Sequence, residues 1–228
     1  GENPSKVFHT GCPALDIVKN IKLSLSDMES KYGGTGVAID WSRPYLLVIQ
    51  HPVTTEYGSG FNQIQHTLKA VHEADMQAIW LWPNVDAGSD DVAKGIRIYR
   101  EEFKSSLIHF YRNFSPEDYV RVLANSSCII GNSSSGLREG ALLGTPCINI
   151  GTRQNRRERG NNVVDANYDS IAIAKAITEQ VAHGKYEPDD RFGNGDAGQK
   201  MADVLASESL NIDKTLNYIL KKDVDGAG

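Results

Sequence analysis

From Pro44 onward, short apolar runs alternate with stretches of helical spacing. The runs are Tyr45–Ile49, Ala78–Trp82, Leu107–Tyr111, Cys128–Ile130, Cys147–Ile150 and, more weakly, Asn162–Val164. Each is too short for a buried helix, and most are apolar without a break, as parallel strands covered on both faces are. Between them, Phe61–Ala74 carries Ile64, Leu68 and Val71 on one side. Helices are also expected over Asp90–Phe103 and Ser170–Val181. Ser115-Pro116-Glu117-Asp118 has the order of an N-cap, a first-turn proline and early acids, so a helix opens there. Strands separated by helices predict an α/β domain built on a doubly wound parallel, Rossmann-like sheet.

The ends are less regular. Val7–Pro13 reads as a short strand entering a turn, followed by a helix from Ala14 to Asp27. Gly33-Gly34-Thr35-Gly36 reads as a flexible connector. A glycine-rich turn, Arg191–Gly198, precedes two final helices. The expected division is a leading segment over 1–43, the Rossmann-like domain over 44–206 and a C-terminal helix over 207–228.

In such a sheet, ligands bind beyond the carboxyl ends of the strands. The polar residues that interrupt the pattern cluster there: His51, Asn84, Arg112, Asn113, Arg153 and the turn Gly131-Asn132-Ser133-Ser134-Ser135-Gly136. That turn is expected to lead into a helix from about Gly136, aiming main-chain N–H groups and hydroxyls at one spot suited to phosphate. Gly131 and Gly136 would let a ligand approach the backbone. The plainer reading makes Asn132 and the serines mere turn and capping residues. The next apolar run ends in Gly151-Thr152-Arg153 and brings an arginine to the same rim, which favours the phosphate reading.

Charge narrows the guest. The chain of 228 residues carries a net charge of −5, yet between Gly131 and Gly160 five arginines face two glutamates, a local +3. A basic rim in an acidic protein suits a small phosphorylated ligand; nucleic acid needs a broader basic face and is not expected. A hydrophobic content of 40% is ample for one core, and no run approaches the length of a membrane span. Cys12, Cys128 and Cys147 lack metal-ligand spacing and read as reduced thiols of a cytoplasmic protein. Asp86, Asp90 and Asp91 are explained by a helix N-terminus, so neither metal nor cofactor is expected. His9, His66, His72, His109 and His183 are assigned to packing or surface, and Trp80 and Trp82 to the core. Arg156, Arg157 and Arg159 form either a solvated face or further phosphate contacts, and the turn at Gly195 is either a hinge or a helix cap. The chain opens Gly1-Glu2-Asn3-Pro4 without an initiator methionine and reads as a trimmed piece.

Several motifs occur in order: Thr10-Gly11-Cys12-Pro13, Gln50-His51-Pro52-Val53-Thr54-Thr55, Pro83–Ser89, Gly131–Glu139, Gly144-Thr145-Pro146, Gly151-Thr152-Arg153-Gln154 and Gly193–Ala197. Together they resemble the C-terminal half of hydrolysing UDP-N-acetylglucosamine 2-epimerases of the sialic-acid pathway, from Val7 to about Leu205. The resemblance implies a GT-B-type enzyme of two facing Rossmann-like domains, of which this chain would be the nucleotide-binding half. It places Ser133 and Ser134 on the diphosphate, Glu139 on the ribose hydroxyls, Phe114 at the uracil through backbone groups, and Asn84 and Arg153 in the same shell. His51 would stand near the diphosphate and sugar as the catalytic histidine, with Arg112, Asn113, Ser135 and Arg138 as secondary candidates. Implied partners are UDP or a UDP-amino sugar, an N-terminal domain of the full-length chain and further copies in a homo-oligomer. The proton-transferring acids belong to that N-terminal domain in the family, so this piece by itself is expected to bind UDP weakly and catalyse nothing. Two other readings share the pocket: the donor half of a GT-B glycosyltransferase, and a non-catalytic nucleotide-sensing module. Gln50-His51-Pro52-Val53-Thr54 favours the epimerase.

Overall fold

The computed structural model describes residues 1–103 and 107–209. Its strands are β1 (Thr35–Gly36), β2 (Leu46–Ile49), β3 (Ala78–Leu81), β4 (Ile108–Tyr111), β5 (Cys128–Gly131), β6 (Cys147–Ile150) and β7 (Val163–Ala166). Its helices are α1 (Asp16–Asn20), α2 (Met28–Lys31), α3 (Gly60–Glu73), α4 (Ser89–Glu102), α5 (Pro116–Asn125), α6 (Ser134–Leu137), α7 (Glu139–Leu142), α8 (Ser170–His183) and α9 (Ala197–Ser207). The strands form one sheet in the order β1-β4-β3-β2-β5-β6-β7, parallel except for the edge pair β1–β4. Strand order reverses between β2 and β5. That is the switch point at which doubly wound sheets open a crevice.

Both faces of the central strands are apolar because both are covered. Leu46, Val48, Trp80 and Ile130 pack under α3, α4 and α8, while Leu47, Ile49, Ile79 and Ile129 face α2 and α5. Burying each such side chain stabilises the fold by roughly 1.5–3 kcal/mol before chain entropy is counted. The helix starts follow local chemistry. The Ser115 hydroxyl accepts from the Asp118 N–H at 3.2 Å, ahead of Pro116 at the first helical position. Asp169 caps α8 by accepting from the Ile171 N–H at 3.0 Å.

The leading segment departs from expectation. Val7–Pro13 is not a strand: Cys12 donates its N–H to the Phe192 carbonyl at 2.7 Å, and Pro4–Lys6 and Pro13–Leu15 are single 3₁₀ turns. The helix expected to reach Asp27 stops at Asn20. Arg121 Nε takes the Ser24 carbonyl at 2.5 Å and Asn125 Nδ2 takes that of Leu23 at 2.8 Å, so bonds from α5 displace helical ones. The supposed connector at Thr35–Gly36 is β1, paired with Phe110 and His109. A Cβ on Gly34 would collide with the His109 ring, and one on Gly36 with the Ile108 carbonyl, so glycine here permits close pairing. At the other end, Asp16 accepts from the N–H groups of Ala197 and Gly198 at 3.0 and 2.7 Å, capping α9 and tying it to the leading segment. The helix expected over 207–228 lies outside the described residues beyond 209.

Candidate functional site

The crevice at the switch point is closed at its floor by one asparagine. Asn132 follows the last residue of β5 and is fully buried. Its Oδ1 accepts the His51 N–H at 2.7 Å, and its Nδ2 donates to the His51 carbonyl at 2.8 Å. The amide thus replaces the strand ladder where β2 and β5 separate. Gly131, at φ +128°, makes this approach possible, because any Cβ there would fall on the Ile49 carbonyl. The Asn132 carbonyl in turn accepts from Gln154 Nε2 at 2.7 Å and Arg153 Nη1 at 3.2 Å. One residue therefore fixes His51, Gln154 and Arg153 together.

Above this floor lies a cleft of about 660 Å³. His51, Pro83, Asn84, Val85, Arg112 and Asn113 line it from β2, β3 and β4, and Tyr119, Ser133, Ser134, Ser135, Arg138 and Arg153 from the other side. Of the predicted residues, His51, Asn84, Ser133, Ser134 and Arg153 meet here, as do Arg112, Asn113, Ser135 and Arg138. Three guanidinium groups and three serine hydroxyls around one hollow make a site for an anion with several oxygens. A second hollow, about 630 Å³ between α3 and α4, mixes Lys69, His72, Glu73 and Glu102 and lies away from the strand ends.

The serine turn differs in detail from the expected one. The helix begins at Ser134, with Ser133 as its cap, and breaks at Arg138 (φ −95°, ψ −72°) before α7 resumes. Each piece is a single turn, too short to build much of a macrodipole. The side chains must therefore supply most of the anion's partners. Ser133 Oγ lies 2.8 Å from Ser135 Oγ, and Arg138 Nη2 donates to Ser134 Oγ at 3.2 Å.

His51 is held neutral. The Asn84 N–H donates to its Nδ1 at 3.1 Å, so that nitrogen is the acceptor and Nε2 carries the proton. Burial, then the charge of Arg153, pushes its pKa down to about 4, with Asp86 opposing. Burial likewise lowers Arg153. The neutral imidazole is thus the resting state, with its Nε2–H the available donor.

Two predicted residues lie behind the cleft rather than along it. Phe114 packs against Tyr32 and Tyr111 at centroid distances of 4.8 and 4.9 Å, and its N–H is taken by the Asn113 side chain at 2.9 Å. Glu139 is buried behind the serine turn, its Oε2 without a hydrogen-bond partner among the described residues and its carboxyl pushed up by burial. Arg156 and Arg157 are exposed outside the lining, and Arg159 pairs with Asp165 at 2.7 Å. The Gly195 turn packs against Leu15 and Lys19 at the start of α9. Sequence reading missed Tyr119, which reaches the cleft only because α5 packs against the serine turn, and it did not foresee the bonding of Asn132 to the His51 main chain.

Comparison with known proteins places this geometry in context. The family model described as UDP-N-acetylglucosamine 2-epimerase matches residues 1–206. The UDP-N,N'-diacetylbacillosamine 2-epimerase (hydrolyzing) of Legionella pneumophila is 32% identical over 213 residues, 92% of this chain and 54% of that protein. A UDP-N-acetylglucosamine 2-epimerase of Neisseria meningitidis is 28% identical over 224 residues, 96% of this chain and 57% of that protein. Among solved structures, UDP-GlcNAc 2-epimerase from Neisseria meningitidis bound to UDP-GlcNAc superposes with a TM-score of 0.69 at 16% identity, over 91% of this chain and 57% of that one. The Methanocaldococcus jannaschii enzyme gives 0.67 at 16%, over 90% and 57%. These likenesses show the fold, that of GT-B-type enzymes. The chain spans about half the length of the relatives it matches.

Proposed function

The chain belongs to the UDP-N-acetylglucosamine 2-epimerase family, and from that premise we propose that it is the UDP-binding half of a hydrolysing UDP-sugar 2-epimerase. The observation that carries this reading is the convergence of Ser133, Ser134, Arg138, Arg153, Asn84 and His51 on one cleft at the switch point. Arg153 and the two serines hold the diphosphate, and Asn84 orients His51 through its main-chain N–H. The Glu139 carboxylate, whose Oε2 has no hydrogen bond among the described residues although Arg138 Nε stands 3.9 Å away, accepts from ribose hydroxyls. Phe114 meets the uracil through its carbonyl, since its N–H is already bonded.

In the reaction proposed for the whole enzyme, the C2 proton leaves, UDP departs to give a glycal, and water adds to release the free 2-epimeric sugar. His51 contributes a hydrogen bond from its neutral Nε2–H to the leaving diphosphate oxygen, where negative charge develops, and keeps its proton. The nucleotide unit comprises residues 44–206, with the 1–43 segment bracing it and a facing N-terminal domain supplying the acids for proton transfer. The whole enzyme acts as a homo-oligomer on UDP-N-acetylglucosamine or its 2,4-diacetamido relative. Among the described residues, no helix is long and apolar enough to cross a membrane, in keeping with a cytoplasmic enzyme.

Calorimetry with UDP, UMP and inorganic phosphate tests the binding half of this reading. UDP is expected to bind the 228-residue chain most tightly of the three. Indifference to the second phosphate would overturn both this reading and a glycosyltransferase donor site. Sugar released from the full-length enzyme without an acceptor, assayed on both UDP-sugars, separates those two and names the substrate; release by this chain alone would refute its dependence on a second domain.

A further inference from the structure

Three hydroxyls stand together at the cleft wall. The Tyr119 hydroxyl, from α5, makes a short hydrogen bond with Ser135 Oγ, and Ser135 Oγ lies 2.8 Å from Ser133 Oγ. Ser133 Oγ also accepts the Ser135 N–H at 3.4 Å. All three residues line the cleft.

The direction of the chain follows from counting protons. A phenol has one proton to give, and the Tyr119 hydroxyl meets the hydroxyls of both serines. The phenol therefore donates into the pair. Ser135, accepting from Tyr119, turns its own proton to Ser133. Ser133 then has both lone pairs occupied, by the Ser135 hydroxyl and the Ser135 N–H, and one free capacity: its own O–H, which can close back on the phenol oxygen or turn to an anion in the cleft. The opposite order would make the phenol, more acidic than a serine hydroxyl and so the better donor, serve only as an acceptor to the pair.

We propose that Tyr119 is a positioning residue of the nucleotide site: through Ser135 it fixes Ser133 as a donor, so that the turn offers an oriented proton to a phosphate oxygen. The proposal rests on the UDP-binding reading and deepens it. Burial raises the Tyr119 phenol above its ordinary range, which keeps it protonated and hence a donor at neutral pH. A serine without this ordering is as ready to accept as to donate, and acceptor lone pairs repel phosphate. The relay removes that ambiguity before the ligand arrives.

The test is a cycle of variants read by UDP calorimetry on the unaltered chain and on Tyr119→Phe, Ser135→Ala, Ser133→Ala and Tyr119→Phe/Ser133→Ala. Ser133→Ala is expected to weaken UDP about 10-fold, and Tyr119→Phe and Ser135→Ala about 5-fold each, as for lost charge-assisted bonds. The double variant should bind no worse than Ser133→Ala, because Tyr119 acts only through that serine. A merely structural tyrosine would give additive losses, and that result overturns the proposal, as does a Tyr119→Phe variant that binds UDP normally while Ser133→Ala does not. A slowly exchanging phenolic proton in the NMR spectrum, lost in Ser135→Ala, reads the relay with no ligand present; its absence from the unaltered chain overturns the proposal independently. If the unaltered chain ignores UDP altogether, the nucleotide reading itself has failed, and this proposal falls with it.

Discussion

The two walls of the cleft are built on different principles. On the β5–β6 side, Gln154 and Arg153 are hydrogen-bonded to Asn132, the serine turn is bonded within itself and to Tyr119, and Asn132 and Gln154 are almost wholly buried. On the β3–β4 side, Arg112 and Asn113 are exposed, and Val85 projects fully into solvent. The interlocked wall carries the groups proposed to hold the diphosphate, whereas the open wall presents side chains that few contacts hold in place. A rigid wall is warranted where geometry must be preset, since ordering donors during binding would cost affinity.

The most direct way to break this contrast is at the hinge of the interlocked wall. Gly131→Ala forces a methyl onto the Ile49 carbonyl at a positive φ, and is expected to lower stability by about 3 kcal/mol or more. Denaturant midpoints measure it. Asn132→Ala, which leaves the His51 N–H and carbonyl unbonded in a buried site, should cost about 2–3 kcal/mol and abolish detectable UDP binding. Arg153→Gln keeps the fold and is expected to weaken UDP about 10- to 30-fold. It should also raise the His51 pKa, because the Arg153 charge helps to depress it, and imidazole proton shifts followed by NMR report that directly. The open wall supplies the control: Arg112→Ala should change UDP affinity by less than about 3-fold, the scale of an exposed ion pair. An Arg112→Ala effect as large as that of Arg153→Gln would erase the distinction.

His51 also gives the interlocked wall a pH signature. Its native pKa of about 4 lies below the ordinary 6.5, so between those values the unfolded chain takes up a proton that the folded one refuses. Stability from this residue is therefore complete above about pH 6.5 and is lost as pH falls toward 4. A His51→Gln variant should show a flatter melting-temperature profile across that window, and a parallel profile would remove histidine burial as the cause.

The sheet and the residues that meet at the cleft were readable because they rest on local signals: unbroken apolar runs, a Ser-Pro-Glu-Asp helix start, and polar residues at strand ends. What was not readable depends on contacts far apart in the chain. The early end of α1 is imposed by Arg121 and Asn125 of α5. The partnership of Asn132 with His51 spans 81 positions, and no spacing rule encodes it. Phe114 and Glu139 were named through the family resemblance alone, since the ring contacts of Phe114 with Tyr32 and Tyr111 and the burial of Glu139 depend on segments distant in the chain.

The small antiparallel strand β1 has an effect beyond its size. By pairing Thr35 and Gly36 with Phe110 and His109, it occupies hydrogen-bonding groups along the rim of β4 that would otherwise template a neighbouring chain. The opposite rim, β7, is guarded differently, by the Asp165–Arg159 ion pair. Shortening the chain to begin at Pro44 would leave the cleft's own residues in place yet bare one flank, turning a self-contained sheet into a seed for stacking.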